Sequence, residues 1–273
     1  MSHRIPDDFT FSQSSIQDYL DCPRRFQLRH LDQLLWPAPE VDELLEWEAH
    51  LALGRRFHRL VQQHQAGVSE ALFHHHLTDP VLRGWFERYL ASEYALPGEG
   101  QAEVLLTVSV GRWVLTAKFD LVLLRRGQAL IVDWKTSRFP KREALEQRAQ
   151  TFIYPLVMAL GGGAFTEHGE PIPPDAIRMV YWYAATGQTH EFAYSSAQFE
   201  RDRERLAQLF DDIDRAQSFP MTEQAERCRF CVYRSLCDRG VRAGSLSDHD
   251  LEAPEDALDA FTLDLDQIAE VEF

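Results

Sequence analysis

Two stretches of the sequence decide the fold: Ala117-Lys118-Phe119-Asp120-Leu121-Val122 and Val132-Asp133-Trp134-Lys135-Thr136. Each has the composition of a β-strand, and Arg126-Gly127 lies between them where a tight hairpin turn belongs. In a hairpin with that turn, the residue numbers of opposed partners sum to 253. Asp120 is then directly across from Asp133, with the two Cβ atoms about 4.5–5.5 Å apart.

A second hairpin is predicted immediately upstream. Residues 104–108 and 113–117 have strand composition, and Gly111-Arg112 supplies the turn. Opposed residue numbers then sum to 223, which places Glu103 across from Asp120. Three carboxylates in one row of a sheet repel one another. A hard divalent cation such as Mg²⁺ or Mn²⁺ relieves that repulsion, because it prefers oxygen ligands.

Lys135 adds a positive charge to this row of carboxylates. It lies two residues after Asp133, so strand alternation places both side chains on the same face. A metal site with a cation beside it is suited to activating water against a phosphodiester. The alternative interpretation is that Asp120 and Asp133 are ordinary polar residues on exposed strand faces. Their apolar neighbours in the sequence argue against this interpretation.

The rest of the sequence predicts helices and further strands around the two hairpins. Helices are expected from Ser14 or Ser15, from Pro23, and over about 41–64, 80–94, 143–160 and 196–217, with strands near 177–183 and 190–194. This order indicates an α/β or α+β fold. We expect one domain over residues 1–244, with a helical insertion over about 37–98 and a cysteine-rich region over 220–240.

The net charge of −15 is concentrated at the C-terminal end of the 273-residue chain. Residues 245–273 contain ten acidic residues and no Lys or Arg, so DNA binding by the remaining chain is not excluded. We expect this acidic tail to be a solvated end or a docking peptide. The sequence has no apolar run of about 18 residues and no apolar segment behind its N-terminus, which predicts no membrane helix, no secretory signal and a cytoplasmic location.

The four cysteines form a pattern typical of a metal site. Cys228, Cys231 and Cys237 are clustered, and Cys22 stands about 200 residues earlier. Four thiolates can bind either a tetrahedral zinc or an iron–sulfur cluster, whereas a disulfide scaffold is disfavoured in a reducing compartment.

The two strand motifs resemble those of the PD-(D/E)XK nuclease superfamily, in its RecB-like branch. Gly54-Arg55-Arg56-Phe57-His58 is similar to the helix that supplies a metal-binding histidine, and Gln150-Thr151-Phe152-Ile153-Tyr154 is similar to the Gln-xxx-Tyr helix motif. The resemblance implies a restriction-endonuclease-like core, with a central mixed sheet flanked by helices. It covers most of residues 10–240.

The resemblance also implies roles for individual residues. Asp120 and Asp133 would bind Mg²⁺ or Mn²⁺, with His58 and the backbone carbonyl of Trp134 completing the ligands. Lys135 would orient or help to deprotonate the attacking water. Gln150 and Tyr154, which lie on one helical face, would contact substrate or the lysine. Glu103 is a further metal ligand that follows from the strand register alone.

The cysteine pattern resembles that of iron–sulfur RecB-like nucleases, a group that includes AddB-type recombination nucleases and CRISPR-associated RecB-like exonucleases. This implies a structural four-iron, four-sulfur cluster on Cys22, Cys228, Cys231 and Cys237, which ties the two ends of the domain together. Basic residues near the two predicted metal sites are candidates for phosphate contacts with DNA. They are Arg24, Arg25, Arg55 and Arg229.

The sequence therefore predicts a metal-dependent DNA nuclease, with exonuclease activity on single-stranded ends. Its expected context is recombination, repair or CRISPR spacer acquisition, with protein partners in a larger complex. The alternative is a catalytically silent, nuclease-like subunit that binds DNA or acts as a scaffold and is held together by zinc.

Overall fold

The computed structural model describes residues 5–35, 44–125, 127–229 and 231–240. The acidic tail at 245–273 and the first residues of the predicted insertion, 37–43, lie outside the described residues. The helices are α1 (Gln13–Asp21), α2 (Pro23–Phe26), a π-helix (Gln27–Leu31), α3 (Leu44–Gln65), α4 (Glu70–His76), α5 (Pro80–Leu90), α6 (Arg142–Glu146), α7 (Ala149–Gly161) and α8 (Ser196–Arg215). Short 3₁₀ segments cover Gly162–Phe165, Pro174–Ala176 and Ala225–Cys228.

The strands form one mixed sheet, as the family resemblance implies. They are β1 (Thr10–Ser12), β2 (Gly100–Val110), β3 (Trp113–Arg125), β4 (Gln128–Lys135), β5 (Ile177–Tyr183) and β6 (Thr189–Ala193). The order is β1-β3-β4-β5-β6, and β2 pairs with β3. The β1–β3 and β4–β5 pairs are parallel, and the other pairs are antiparallel.

Helices cover both faces of the sheet and create two apolar cores. The first core joins the sheet to α1, α7 and α8 through residues such as Ile16, Ile153 and Leu206. The second core joins it to α3 and α5 through Phe57 and Trp85. Within the described part of the chain, no helix combines the length and the apolar character needed to span a membrane.

Both hairpins have the predicted register. Opposed residue numbers sum to 253 between β3 and β4, and to 223 between β2 and β3. The β3–β4 pairing ends at Leu121 with Val132, one position before Asp120 and Asp133. The β2–β3 pairing skips Glu103, whose φ of 56° is in the left-handed region that non-glycine residues rarely adopt.

Three local predictions were wrong or incomplete. The first helix is capped by Ser12, whose side chain accepts from the Ser15 amide, rather than by Ser14 or Ser15. The single helix expected over 143–160 is two helices, because Arg148 takes an extended conformation between α6 and α7. The break is stabilised from outside, since Gln17 of α1 accepts a hydrogen bond from the Ala149 amide. The short strand β1 and helix α4 were not predicted.

Candidate active site

A buried ion pair at the end of β4 forms the centre of the site. Lys135 Nζ lies 2.7 Å from Asp133 Oδ2, and both side chains are only 3% exposed. Gln150 of α7 joins them, because its amide oxygen accepts from Lys135 Nζ at 3.2 Å and its amide nitrogen donates to Asp133 Oδ1. A lysine held in this way has a fixed ammonium position.

Tyr181 of β5 packs against Lys135, a contact that sequence reasoning missed. Lys135 Nζ lies 5.5 Å from the centre of the Tyr181 ring, within the range of a cation–π interaction. The Tyr181 hydroxyl is hydrogen-bonded to Thr151 Oγ1 at 2.8 Å. Burial, and secondarily the charge of Asp133, raise the pKa of Tyr181, so the phenol stays protonated. Only the β4–β5 register, which pairs Asp133 with Tyr181, could have indicated it.

Asp120 connects this centre to α3. Its Oδ2 accepts a hydrogen bond from the backbone amide of Trp134 at 2.8 Å, and its Oδ1 lies 3.5 Å from His58 Nδ1. Burial raises the pKa of Asp120, but the charge and hydrogen bond of His58, the Trp134 amide and the charge of Lys135 outweigh it and lower that pKa. Asp120 therefore stays an anion between the helix and the ion pair.

The strand β3 changes phase at Asp120, which explains how this carboxylate meets both neighbours. Odd-numbered residues from Trp113 to Phe119 belong to the first core, whereas Leu121 and Leu123 belong to the second. The left-handed Glu103 lies opposite the change. Because of this irregularity, the side chains of β3 do not alternate strictly between the two faces of the sheet at Asp120.

His58, Glu103 and Asp120 form a candidate metal-ligand group. Each offers a ligand atom, and these atoms all lie within 4.8 Å of one another. One imidazole and two carboxylates suit a divalent cation such as Mn²⁺ or Mg²⁺. The side chains therefore fit the metal that the sequence predicts, and Glu103, derived from register alone, belongs to the group.

Two other predicted ligands are not in this group, and their role as ligands stays a prediction. The carboxylate of Asp133 is held by Lys135 and Gln150 rather than grouped with His58, Glu103 and Asp120. Trp134 contacts Asp120 through its N–H, whereas the prediction concerned its carbonyl. Tyr154 is buried and packs edge-on against Phe119, with ring centres 5.0 Å apart.

Gly54 allows α3 to approach the end of β4. A Cβ at this position would lie 3.0 Å from Thr136 Oγ1, which is tighter than about nine in ten real Cβ contacts, so Thr136 would have to shift. His58 is one turn further along the same helix face. The glycine of the Gly54-Arg55-Arg56-Phe57-His58 motif thus brings the histidine within reach of Asp120.

The four cysteines converge although they are far apart in sequence. All four are free thiols and line one small cavity, together with Arg25, Leu28 and Tyr233. The Thr222 amide donates to Cys22 Sγ at 3.4 Å, and the Arg24 amide donates to the carbonyl of Pro220 at 3.1 Å. These bonds attach the start of the domain to its end. Four thiols around one cavity fit a metal centre by their chemistry.

The predicted DNA-binding arginines differ in their surroundings. Arg25 is committed to ion pairs with Asp18 and Asp21, each at 2.6 Å. Burial raises the pKa of Asp18, but the charge of Arg25 and further contacts with His30 and Arg29 outweigh it and lower that pKa to about 2. Arg24 donates to the Gln27 side chain at 2.7 Å, and Arg55 is exposed on α3. The Arg229 carbonyl accepts from Arg234, which lines the cavity.

Residues 10–238 match the family model of the PD-(D/E)XK nuclease superfamily. The chain belongs to this superfamily. Among solved structures, this chain is similar to SSO0001, with 16% sequence identity and a TM-score of 0.42. The match covers 85% of this chain and 87% of SSO0001. The chain is also similar to a "Putative exonuclease" from Eubacterium rectale, with 13% identity, a TM-score of 0.44, and coverage of 80% and 86%. A comparison with curated proteins finds no match.

Proposed function

We propose that this protein is a metal-dependent deoxyribonuclease that hydrolyses phosphodiester bonds at single-stranded DNA ends. The observation that carries the proposal is the hydrogen bond from the Trp134 amide to Asp120. It joins the His58–Glu103–Asp120 group to the strand that bears Asp133 and Lys135. A ligand set for a divalent cation and a buried lysine therefore lie side by side, in a chain of a nuclease superfamily.

His58, Glu103 and Asp120 would hold Mg²⁺ or Mn²⁺, with the Asp133 carboxylate and the Trp134 carbonyl as further ligands. The metal would supply Lewis-acid stabilisation and a more acidic water. Lys135 positions the attacking water and stabilises negative charge on the phosphate. Gln150 orients the Lys135 ammonium and the Asp133 carboxylate. Tyr154, which is buried against Phe119, would hold α7 against β3.

The four cysteines would bind a four-iron, four-sulfur cluster with a structural role. The support is their convergence, because all four are free thiols that line one small cavity although Cys22 lies about 200 residues before the other three. Four thiolates can hold either a zinc ion or an iron–sulfur cluster. The resemblance to iron–sulfur RecB-like nucleases favours the cluster.

The wider context of the proposal comes from the resemblance to iron–sulfur RecB-like nucleases. It comprises a nuclease domain over 1–244, a helical insertion over about 37–98, a cytoplasmic location, and work with protein partners in recombination, repair or CRISPR spacer acquisition. The arginines Arg24, Arg55 and Arg229 would contact DNA phosphates. Arg25 would act mainly through its ion pairs with Asp18 and Asp21.

The test is cleavage of end-labelled linear and of circular single-stranded DNA by anaerobically purified protein, in EDTA, Mg²⁺ or Mn²⁺. We expect metal-dependent shortening of the linear strand and no cleavage of the circle. Lys135→Gln should slow cleavage by at least about 100-fold, the scale of a general acid–base or charge-stabilising group. Arg215→Gln removes a positive charge from a position that is 77% exposed on α8 and should cleave normally.

Two results would contradict the proposal. Wild-type protein that binds DNA but cleaves neither substrate with either metal would favour the catalytically silent, scaffolding alternative. Cleavage of the circle at the rate of the linear strand would instead make the enzyme an endonuclease.

A further inference from the structure

The β2–β3 hairpin has one buried and one open face beyond the metal-ligand group. Leu106 and Val108 of β2 belong to the first core, as do Leu115 and Ala117 of β3. The residues between them point to the other face, because side chains alternate along a strand. On β2 these are Leu105, Thr107 and Ser109, and all three are exposed.

Lys118 and Leu105 are directly opposed on this open face, at the end nearest the metal ligands. Leu105 is 65% exposed, and the Lys118 side chain is 53% exposed. Lys118 Nζ lies 2.7 Å from Glu103 Oε2, and Lys118 precedes Asp120 by two residues. An ammonium and an apolar side chain thus lie next to each other, immediately beside the metal-ligand group.

This pair matches the two parts of a nucleotide. A lysine ammonium binds a backbone phosphate, and an apolar side chain such as leucine can pack against the face of a base. The ion pair with Glu103 does not prevent this, because the Lys118 side chain is 53% exposed and its ammonium has three N–H donors, more than Glu103 Oε2 takes up. A divalent cation on Glu103 would also neutralise its charge and leave the ammonium to the phosphate.

We propose that this open face holds the DNA strand beside the cleaved bond, with Lys118 on a backbone phosphate and Leu105 against a base. The inference rests on the proposed nuclease function and names the surface by which that site holds its substrate. Neither residue takes part in the chemistry. Both act by binding, so their effects are measurable without cleavage.

The first experiment measures binding of a fluorescent single-stranded oligonucleotide in EDTA at several NaCl concentrations. Lys118→Ala should weaken binding several-fold at low salt. It should also reduce the slope of log K against log[NaCl] by about 0.7, the value of one phosphate contact on a single strand. Lys118→Arg should keep both quantities. Arg203→Ala is the matched control, because Arg203 is 55% exposed on α8 and also paired with a carboxylate, that of Glu200.

Loss of Lys118 also leaves Glu103 without this cation, and the extra negative charge could repel DNA by itself. The comparison of Glu103→Gln with Glu103→Gln/Lys118→Ala removes that effect. The slope should still differ by about 0.7 between these two variants. If it does not, Lys118 only neutralises Glu103, and the proposal is wrong.

The second experiment concerns Leu105. Leu105→Ala should weaken binding without changing the salt slope, because an apolar contact releases no counterions. Leu72→Ala is its control, at a leucine that is 57% exposed on α4. Unchanged DNA binding by Leu105→Ala would contradict the contact between Leu105 and a base. If Leu105→Ala instead changes the oligomeric state of the protein on size exclusion, the open face binds protein rather than DNA. The two proposals can be told apart. If the salt slope depends on Lys118 but the wild-type protein never cleaves DNA, the proposed nuclease function is wrong and the proposed DNA-binding surface is still supported.

Discussion

The buried ion pair of Lys135 and Asp133 predicts that stability and activity can be separated at this site. Lys135→Met keeps the length of the side chain but removes its charge. It takes away the ammonium that lies 2.7 Å from the Asp133 carboxylate, which is 3% exposed, and it keeps the hydrogen bond from the Gln150 amide. Removing one partner of a buried pair costs about 3–5 kcal/mol, because the remaining charge is desolvated without compensation. Asp133→Asn should cost a similar amount, because it removes the carboxylate that compensates the charge of the buried Lys135 ammonium.

The double variant Lys135→Met/Asp133→Asn should regain most of this loss. Both charges of the pair are then absent, and a neutral replacement of a buried pair is often as stable as the original. The exposed pair of Arg215 and Asp211 is the control, since its side chains are 77% and 64% exposed. Arg215→Met should change the free energy of unfolding by at most about 1 kcal/mol.

Thermal and urea unfolding in EDTA measure these values without a divalent metal. For a domain of this size, a loss of about 3–5 kcal/mol lowers the Tm by about 6–20 °C. All three variants at the pair should be inactive, although the double variant is stable. The reasoning is refuted if Lys135→Met costs less than about 1 kcal/mol, or if the double variant loses as much as the two single variants together.

Two further predictions concern α3 and the cysteines. Gly54→Ala places a methyl group against Thr136, at an overpacking cost of about 1–3 kcal/mol that the better helix propensity of alanine offsets by about 0.8–1.0 kcal/mol. We expect a small net loss of stability and weaker Mn²⁺ binding, measured by calorimetry, as His58 moves away. Thr136→Ala in the same chain should restore both, and a failure to do so would exclude this contact as the cause. Anaerobically purified protein should contain iron and acid-labile sulfide, and Cys231→Ser should lose both and much of its soluble yield, because a structural metal site contributes to folding. Protein with one zinc and no iron, by elemental analysis, would contradict the cluster.

Much of the candidate site could be predicted from the sequence because it depends on two hairpins. Hairpin register follows from the turn and the strand alternation, so the positions of Glu103, Asp120, Asp133 and Lys135 in neighbouring strands were available from local pattern alone. The helix predicted over 143–160 is instead interrupted at Arg148, and the Ala149 amide at the start of α7 donates to Gln17, more than 100 residues away, a contact that no local pattern indicates.

The side-chain partners inside the site could not be derived from pattern. Tyr181 reaches Lys135 only because β5 pairs in parallel with β4, and parallel strands are joined through a crossover rather than a turn. The close approach of Gly54 to Thr136 depends on how α3 docks on the sheet. These contacts join residues that are distant in sequence.

The sequence by itself determined the two hairpins, the row of carboxylates with its lysine, and the spacing of the cysteine triplet, because each depends on residues close along the chain. Only the tertiary structure decided which carboxylates share a ligand group. The left-handed Glu103 and the phase change at Asp120 turn two acids toward His58, while Gln150 holds Asp133 against Lys135. The physical reason is that strand periodicity fixes the face of a side chain, whereas packing between helices and sheet fixes its partner.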